Sequence, residues 1–157
     1  MQLTQFTDFA LRTLIYLAHH PPIEDERLPA VLDISRAYSI STNHLSKVAR
    51  LLVQAGFVKA TRGRNGGLML ALPPEQINLG QVVRKTESSF DLVECFDLRT
   101  NTCPIVGACA LKAVLADARY QFLAVLDGKT LADIMGQPQK LFPLWKTRRG
   151  QPQQEPK

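Results

Sequence analysis

The apolar residues of FTDFALRTLIYLA (6–18) recur at helical spacing, with Phe6, Phe9, Ala10, Leu14, Leu17 and Ala18 on one face. A first helix is predicted there. The stretch HHPPIEDER (19–27) breaks the pattern with prolines and polar residues, as a loop does. Pro29 suits the first turn of a second helix running to about Tyr38, and Ser39 and Ile40 form a short turn. Ser41 is placed to cap a third helix, STNHLSKVARLLVQAG, with Leu45, Val48, Leu52 and Val53 inward and Gly56 at its end. FVKAT and LMLAL then flank RGRNGG, and two apolar stretches around an Asn-Gly step predict a β-hairpin. Pro73 and Pro74 stop the second strand, and Asn78 caps a fourth helix, LGQVVRKT. From about Ala108 to Leu126 a long stripe follows, made of Leu111, Val114, Leu115, Ala118, Phe122, Val125 and Leu126. Thr130 caps a last short helix, TLADIM. From Gly136 the chain is rich in Pro, Gln and Lys, and little order is expected.

Helix, short turn, helix, two-stranded hairpin is the order of a winged helix-turn-helix. The expected fold is mainly α with a small β-hairpin wing, followed by a long dimerisation helix. Charge strengthens this picture. Between Asp33 and Glu75 there is no acidic residue, while Arg36, Lys47, Arg50, Lys59, Arg62 and Arg64 lie there. A basic block inside a folded segment points to a polyanion, nucleic acid first. On the third helix Ser41, Thr42, Asn43 and His44 are placed to reach base edges in a major groove, and Lys47 and Arg50 to reach phosphates. The wing tip offers Arg62, Gly63, Arg64, Asn65 and Gly66, where glycine permits close approach and arginine can enter a minor groove. Helix-turn-helix proteins usually bind two half-sites as symmetric dimers, so a palindromic double-stranded operator and a homodimer are expected. The stripe over 108–126 is the natural dimer element.

The chain has 157 residues, 45% of them apolar, enough for one domain with a core. No apolar run reaches membrane-span length, and MQLTQFTDFALR lacks a signal-peptide pattern, so a cytoplasmic protein with no membrane partner is expected. No catalytic triad, phosphate-binding glycine loop or acid/base pair suggests an enzyme.

The remaining chemistry lies in ECFDLRTNTCPIVGACAL (94–111), which holds all three cysteines, Cys95, Cys103 and Cys109. In a reducing cytosol a clustered, odd set of cysteines favours a metal or redox site over a disulfide framework. The spacing C-x7-C-x5-C lacks the close pairs of zinc sites, and the histidines His19, His20 and His44 are far away in sequence. Thiolates spread over a flexible loop suit an iron–sulfur cluster. Asp91, Glu94 and Asp97 are local candidates for the missing fourth ligand.

The start MQLTQFTDFALRTLIYLA, the wing TRGRNGG, the cysteine loop and the closing LDGKTLADI together resemble the iron–sulfur winged-helix repressors, and among them the nitric-oxide-sensing NsrR branch. The resemblance spans about residues 1–135. It implies a homodimer with one cluster per subunit, held by Cys95, Cys103 and Cys109 and of the 4Fe–4S type rather than 2Fe–2S. It also implies a fourth ligand from the partner subunit's first helix, at the position of Asp8. The related cluster-biogenesis regulator IscR has a histidine three residues after its third cysteine, where this chain has Lys112. The expected domains are 1–75, the winged helix-turn-helix, whose first helix also contacts the partner subunit; 76–135, the cluster-binding loop and dimerisation helix; and 136–157, a basic flexible tail. The expected function is a DNA-binding repressor of nitrosative-stress genes that nitric oxide releases from its operator. Competing readings are an iron, redox or cluster-status sensor, a small iron–sulfur electron-transfer protein, and a DNA-binding protein with structural zinc.

Overall fold

The computed structural model describes residues 2–24 and 26–147. The elements run α1 (Gln5–Ala18), α2 (Val31–Tyr38), α3 (Thr42–Gln54), β1 (Val58–Thr61), β2 (Gly67–Leu70), α4 (Leu79–Thr86), α5 (Ala110–Asp127), α6 (Leu131–Ile134) and α7 (Pro138–Thr147). Single 3-10 turns lie at Pro74–Gln76 and Glu94–Phe96.

Local side-chain chemistry sets most of the helix starts. Thr4 accepts from the Thr7 amide at 3.3 Å, Ser41 from Asn43 at 3.3 Å and Asn78 from Gln81 at 3.0 Å. Each satisfies an amide that the first turn leaves without an intrahelical partner. Thr130 and Asp133 form a capping box at α6. α2 starts later than expected: Pro29 lies before the cap, Ala30 is the N-cap, and Asp33 accepts from the Ala30 amide at 2.7 Å.

The α2–α3 turn is fixed by Ser39, which is left-handed at φ 56°. The Ser35 hydroxyl donates to the Ile40 carbonyl at 2.6 Å and the Ile40 amide to the Ser35 carbonyl at 3.1 Å. α1 crosses α3, and Leu14, Leu17, Ile34, Leu45, Val48 and Leu52 form the centre of the core. Val53, expected inward, is instead exposed. It falls one residue past Leu52 on the helix turn, away from the face that α1 and α2 cover.

β1 and β2 pair antiparallel from Val58↔Leu70 to Thr61↔Gly67. The loop before α2 lies along this hairpin: the Leu28 amide donates to Asn65 at 3.2 Å and Leu68 to Pro29 at 2.8 Å. Gly67 permits that approach, since a Cβ there would lie 2.6 Å from the Pro29 carbonyl.

α4 buries Val82 and Val83, and the Thr7 hydroxyl donates to that of buried Thr86 at 2.8 Å. Asn78 also donates to the Asp127 carbonyl at 2.6 Å, and Arg84 pairs with Asp127, so α4 and α5 are joined at one end. α5 has no buried residue. Leu115, Phe122 and Leu126 are half-buried, while Leu111, Val114 and Val125 are 60–65% exposed.

The expectation of a flexible tail from Gly136 is corrected over Pro138–Thr147, which form α7. Trp145 is 6% exposed, with its ring 5.1 Å from Tyr16, 5.7 Å from His20 and 5.9 Å from Tyr38. Burying that ring against α1 and α2 stabilises a helix that contains Pro143. Arg148, Arg149 and Lys157 of the expected basic tail lie outside the described residues.

Candidate DNA interface and cysteine site

Capping by Ser41 starts α3 on a polar turn, and burial of Leu45, Val48 and Leu52 fixes which face looks outward. Asn43, His44, Lys47 and Arg50 are exposed on that face and Thr42 is half-buried. The Ser46 hydroxyl turns back to the Thr42 carbonyl at 2.7 Å. His44 stacks on Phe9 of α1, with ring centroids 6.2 Å apart and planes at 28°. At the wing tip Arg62, Gly63, Arg64 and Asn65 are exposed and Gly66 is half-buried. Gly63 has φ 109° and its carbonyl accepts from the Gly66 amide at 3.0 Å, which closes the turn and leaves both arginines outward.

Arg36, Lys47, Arg50, Lys59, Arg62 and Arg64 are all exposed. None of them is in an ion pair with a described residue. Arg12, Arg27, Arg84, Arg99 and Arg119, by contrast, each pair with an aspartate. Lys85, Lys112, Lys129, Lys140 and Lys146 are in no such pair either, but every described arginine without an ion pair lies on α2, α3 or the hairpin.

The cysteine segment joins α4 to α5. Cys95 sits on the turn Glu94–Phe96, Cys103 on the irregular limb after Asn101, and Cys109 is the N-cap of α5. All three thiols are free and half-buried. Glu94 accepts from the Thr102 amide at 2.5 Å and the Thr102 hydroxyl at 2.7 Å. Those two bonds hold the Glu94 carboxyl below the usual range. The Asn101 side chain accepts from the Cys103 amide at 3.1 Å. Arg119 of α5 lies 4.4 Å over the Phe96 ring and 3.5 Å from Asp91.

The candidate oxygen ligands all have partners. Asp97 is bound by Arg99 through the backbone amide and guanidinium at 3.0–3.2 Å, which lowers its pKa. Asp91 accepts from Ser89 at 2.7 Å. Asp8, in the first turn of α1, is held by Arg12 at 2.7 and 2.9 Å and is half-exposed. The histidines are engaged elsewhere: His19 with the Met135 carbonyl and His20 with that of Tyr16, both at 2.7 Å. Lys112 lies in the first turn of α5. Among the described residues no three His, Cys, Asp or Glu side chains gather as a single metal ion requires.

Sequence reasoning found the cysteines but missed the Glu94–Thr102 bonds and the packing of Arg119 on Phe96, which shape the loop. The only local sign was that Glu94 and Thr102 each adjoin a cysteine.

A winged helix-turn-helix with an exposed basic face and a cysteine loop, tied to an apolar helix, defines a class of transcriptional regulator. The Rrf2 model, described as iron-dependent transcriptional regulator, matches residues 3–137, and the chain belongs to that family. It is 47% identical over 148 residues to the HTH-type transcriptional regulator NsrR of Bacillus subtilis, covering 94% of this chain and 99% of that protein. It is 44% identical over 148 residues to the NsrR of Halalkalibacterium halodurans, again covering 94% and 99%. The structure of CymR, the global cysteine regulator of B. subtilis, has a TM-score of 0.66 at 24% identity, over 86% of this chain and 96% of CymR, a likeness of fold. The role these names describe is regulatory and non-enzymatic. No helix among the described residues is long and apolar enough to cross a membrane.

Proposed function

We propose that this chain is a cytoplasmic, homodimeric, iron–sulfur DNA-binding repressor that senses nitric oxide. The observation that carries it is the union of three free thiols on one loop with an unpaired basic face on a winged helix-turn-helix. The relatives named NsrR support the branch.

The donor set fits an iron–sulfur cluster in its chemistry. Free thiols on separate limbs suit a multi-iron object, and soft sulfur donors favour it. Cys95, Cys103 and Cys109 would hold it, and a 4Fe–4S type is our assignment. When bound, such a cluster supplies iron that reacts with nitric oxide, which makes the site chemically removable.

The chain's own part is to couple that site to DNA. α5 offers an exposed apolar stripe for a second copy, which would set the two α3 helices at half-site spacing. Asp8 of the partner subunit is the proposed fourth ligand, and to serve it would exchange Arg12 for the cluster. α1 carries Asp8 and, through Phe9, touches His44 on α3. Loss of the Asp8 contact would free α1 to shift α3, so the dimer would no longer match both half-sites. An energy difference of about 3 kcal/mol between the two states changes occupancy by roughly 100-fold.

Anaerobic native mass spectrometry of fresh protein tests this: a dimer carrying one cluster per chain is expected, and a colourless zinc adduct or bare monomer refutes it. The family description favours iron responsiveness as a second reading. Operator release by an iron chelator but not by nitric oxide would select it.

A further inference from the structure

We propose that Glu94 and Arg119 are positioning residues that brace the cysteine loop in its cluster-receiving shape before any cluster is present. The inference rests on the iron–sulfur reading above and deepens it.

The loop has three sulfur-bearing limbs, and each brace ties two of them. Glu94 precedes Cys95, and Thr102 precedes Cys103. One carboxylate oxygen takes both the amide and the hydroxyl of Thr102, at 2.5 and 2.7 Å. Charge-assisted bonds of this kind are the stronger ones, so the first limb is fixed to the second. Cys109 caps α5, and Arg119 belongs to the same helix. Its guanidinium covers Phe96, the neighbour of Cys95, at 4.4 Å and reaches Asp91 at 3.5 Å. A helix is stiff, so gripping the 91–96 segment from Arg119 fixes the first limb relative to the third. None of these contacts uses sulfur, so they hold the loop without the cluster. Partners outside the ligand set generally orient ligands and tune affinity.

The test uses the full-length protein, first without cluster. Hydrogen exchange at the Thr102 amide is compared in wild type, Glu94→Ala and Glu94→Gln, with melting temperature as a control for folding. Glu94→Ala should exchange several-fold faster, while Glu94→Gln, whose neutral amide oxygen still accepts but more weakly, should fall between the two. Anaerobic reconstitution followed by visible absorbance supplies a second readout. Glu94→Ala and Arg119→Met should take up the cluster more slowly and lose it to a chelator roughly 10-fold faster. Equal exchange and equal uptake in wild type and Glu94→Ala overturn the proposal. So does Glu94→Gln exchanging faster than Glu94→Ala, since the amide oxygen still accepts and can only retain part of the brace. If wild type takes up no cluster, the iron–sulfur reading fails, and the Thr102 amide still decides the brace.

Discussion

Salt dependence gives the DNA-binding face a magnitude. Lys47 and Arg50 on α3 and Arg62 and Arg64 at the wing tip are exposed, and none is in an ion pair with a described residue. The proposed dimer would present each twice, which gives about eight phosphate contacts, and each contributes about 0.9 to the slope of log affinity against log salt. The expected slope is about −7, and affinity should fall about 10⁴-fold between 50 and 200 mM salt. Arg62→Ala removes one contact per chain, which lowers the slope to about −5 and the fall to about 10³-fold. Anaerobic fluorescence anisotropy with a labelled operator measures both, and cluster absorbance should be unchanged by the substitution. A wild-type slope no steeper than about −3, or one that Arg62→Ala leaves unaltered, would refute the reasoning.

Other consequences are equally direct. Trp145→Ala should cost about 3–5 kcal/mol by emptying a buried aromatic site, read by thermal unfolding at fixed protein concentration. A loss under about 1 kcal/mol would mean that α7 is not seated on α1 and α2 in solution. Asp127 is held below its usual pKa of 3.8 by Arg84. Its contribution to stability is full above that value and is lost as pH falls through the depressed one, so Asp127→Asn should flatten the acid limb of a melting-temperature profile below about pH 4. Asp8→Ala should speed cluster loss under nitric oxide and uncouple operator binding from cluster content. Behaviour like wild type would remove Asp8 from the ligand set.

Most helices were legible because their signals are local. Ser41, Asn78 and Thr130 cap the residues that follow them, and Leu45, Val48 and Leu52 repeat at helical spacing. The hairpin followed from the Asn-Gly turn. α7 was not legible, because Pro143 masks the periodicity and Trp145 finds its partners on helices more than a hundred residues earlier. Val53 was misassigned because an apolar residue at a helix edge carries no mark of which face a neighbour covers. The cysteines were visible as ligand types, but the Glu94–Thr102 and Arg119–Phe96 contacts depend on how the loop folds back. Spacing alone does not encode that.

The central claim is that a cluster held by Cys95, Cys103 and Cys109 governs DNA binding by the winged helix-turn-helix. The most direct measurement is an anaerobic titration of cluster-loaded protein on its operator with nitric oxide, following anisotropy and visible absorbance together. The account predicts that operator is released in step with the bleaching of the cluster, and that apo-protein binds the same site far more weakly. Binding that persists after the cluster signal is gone would contradict it.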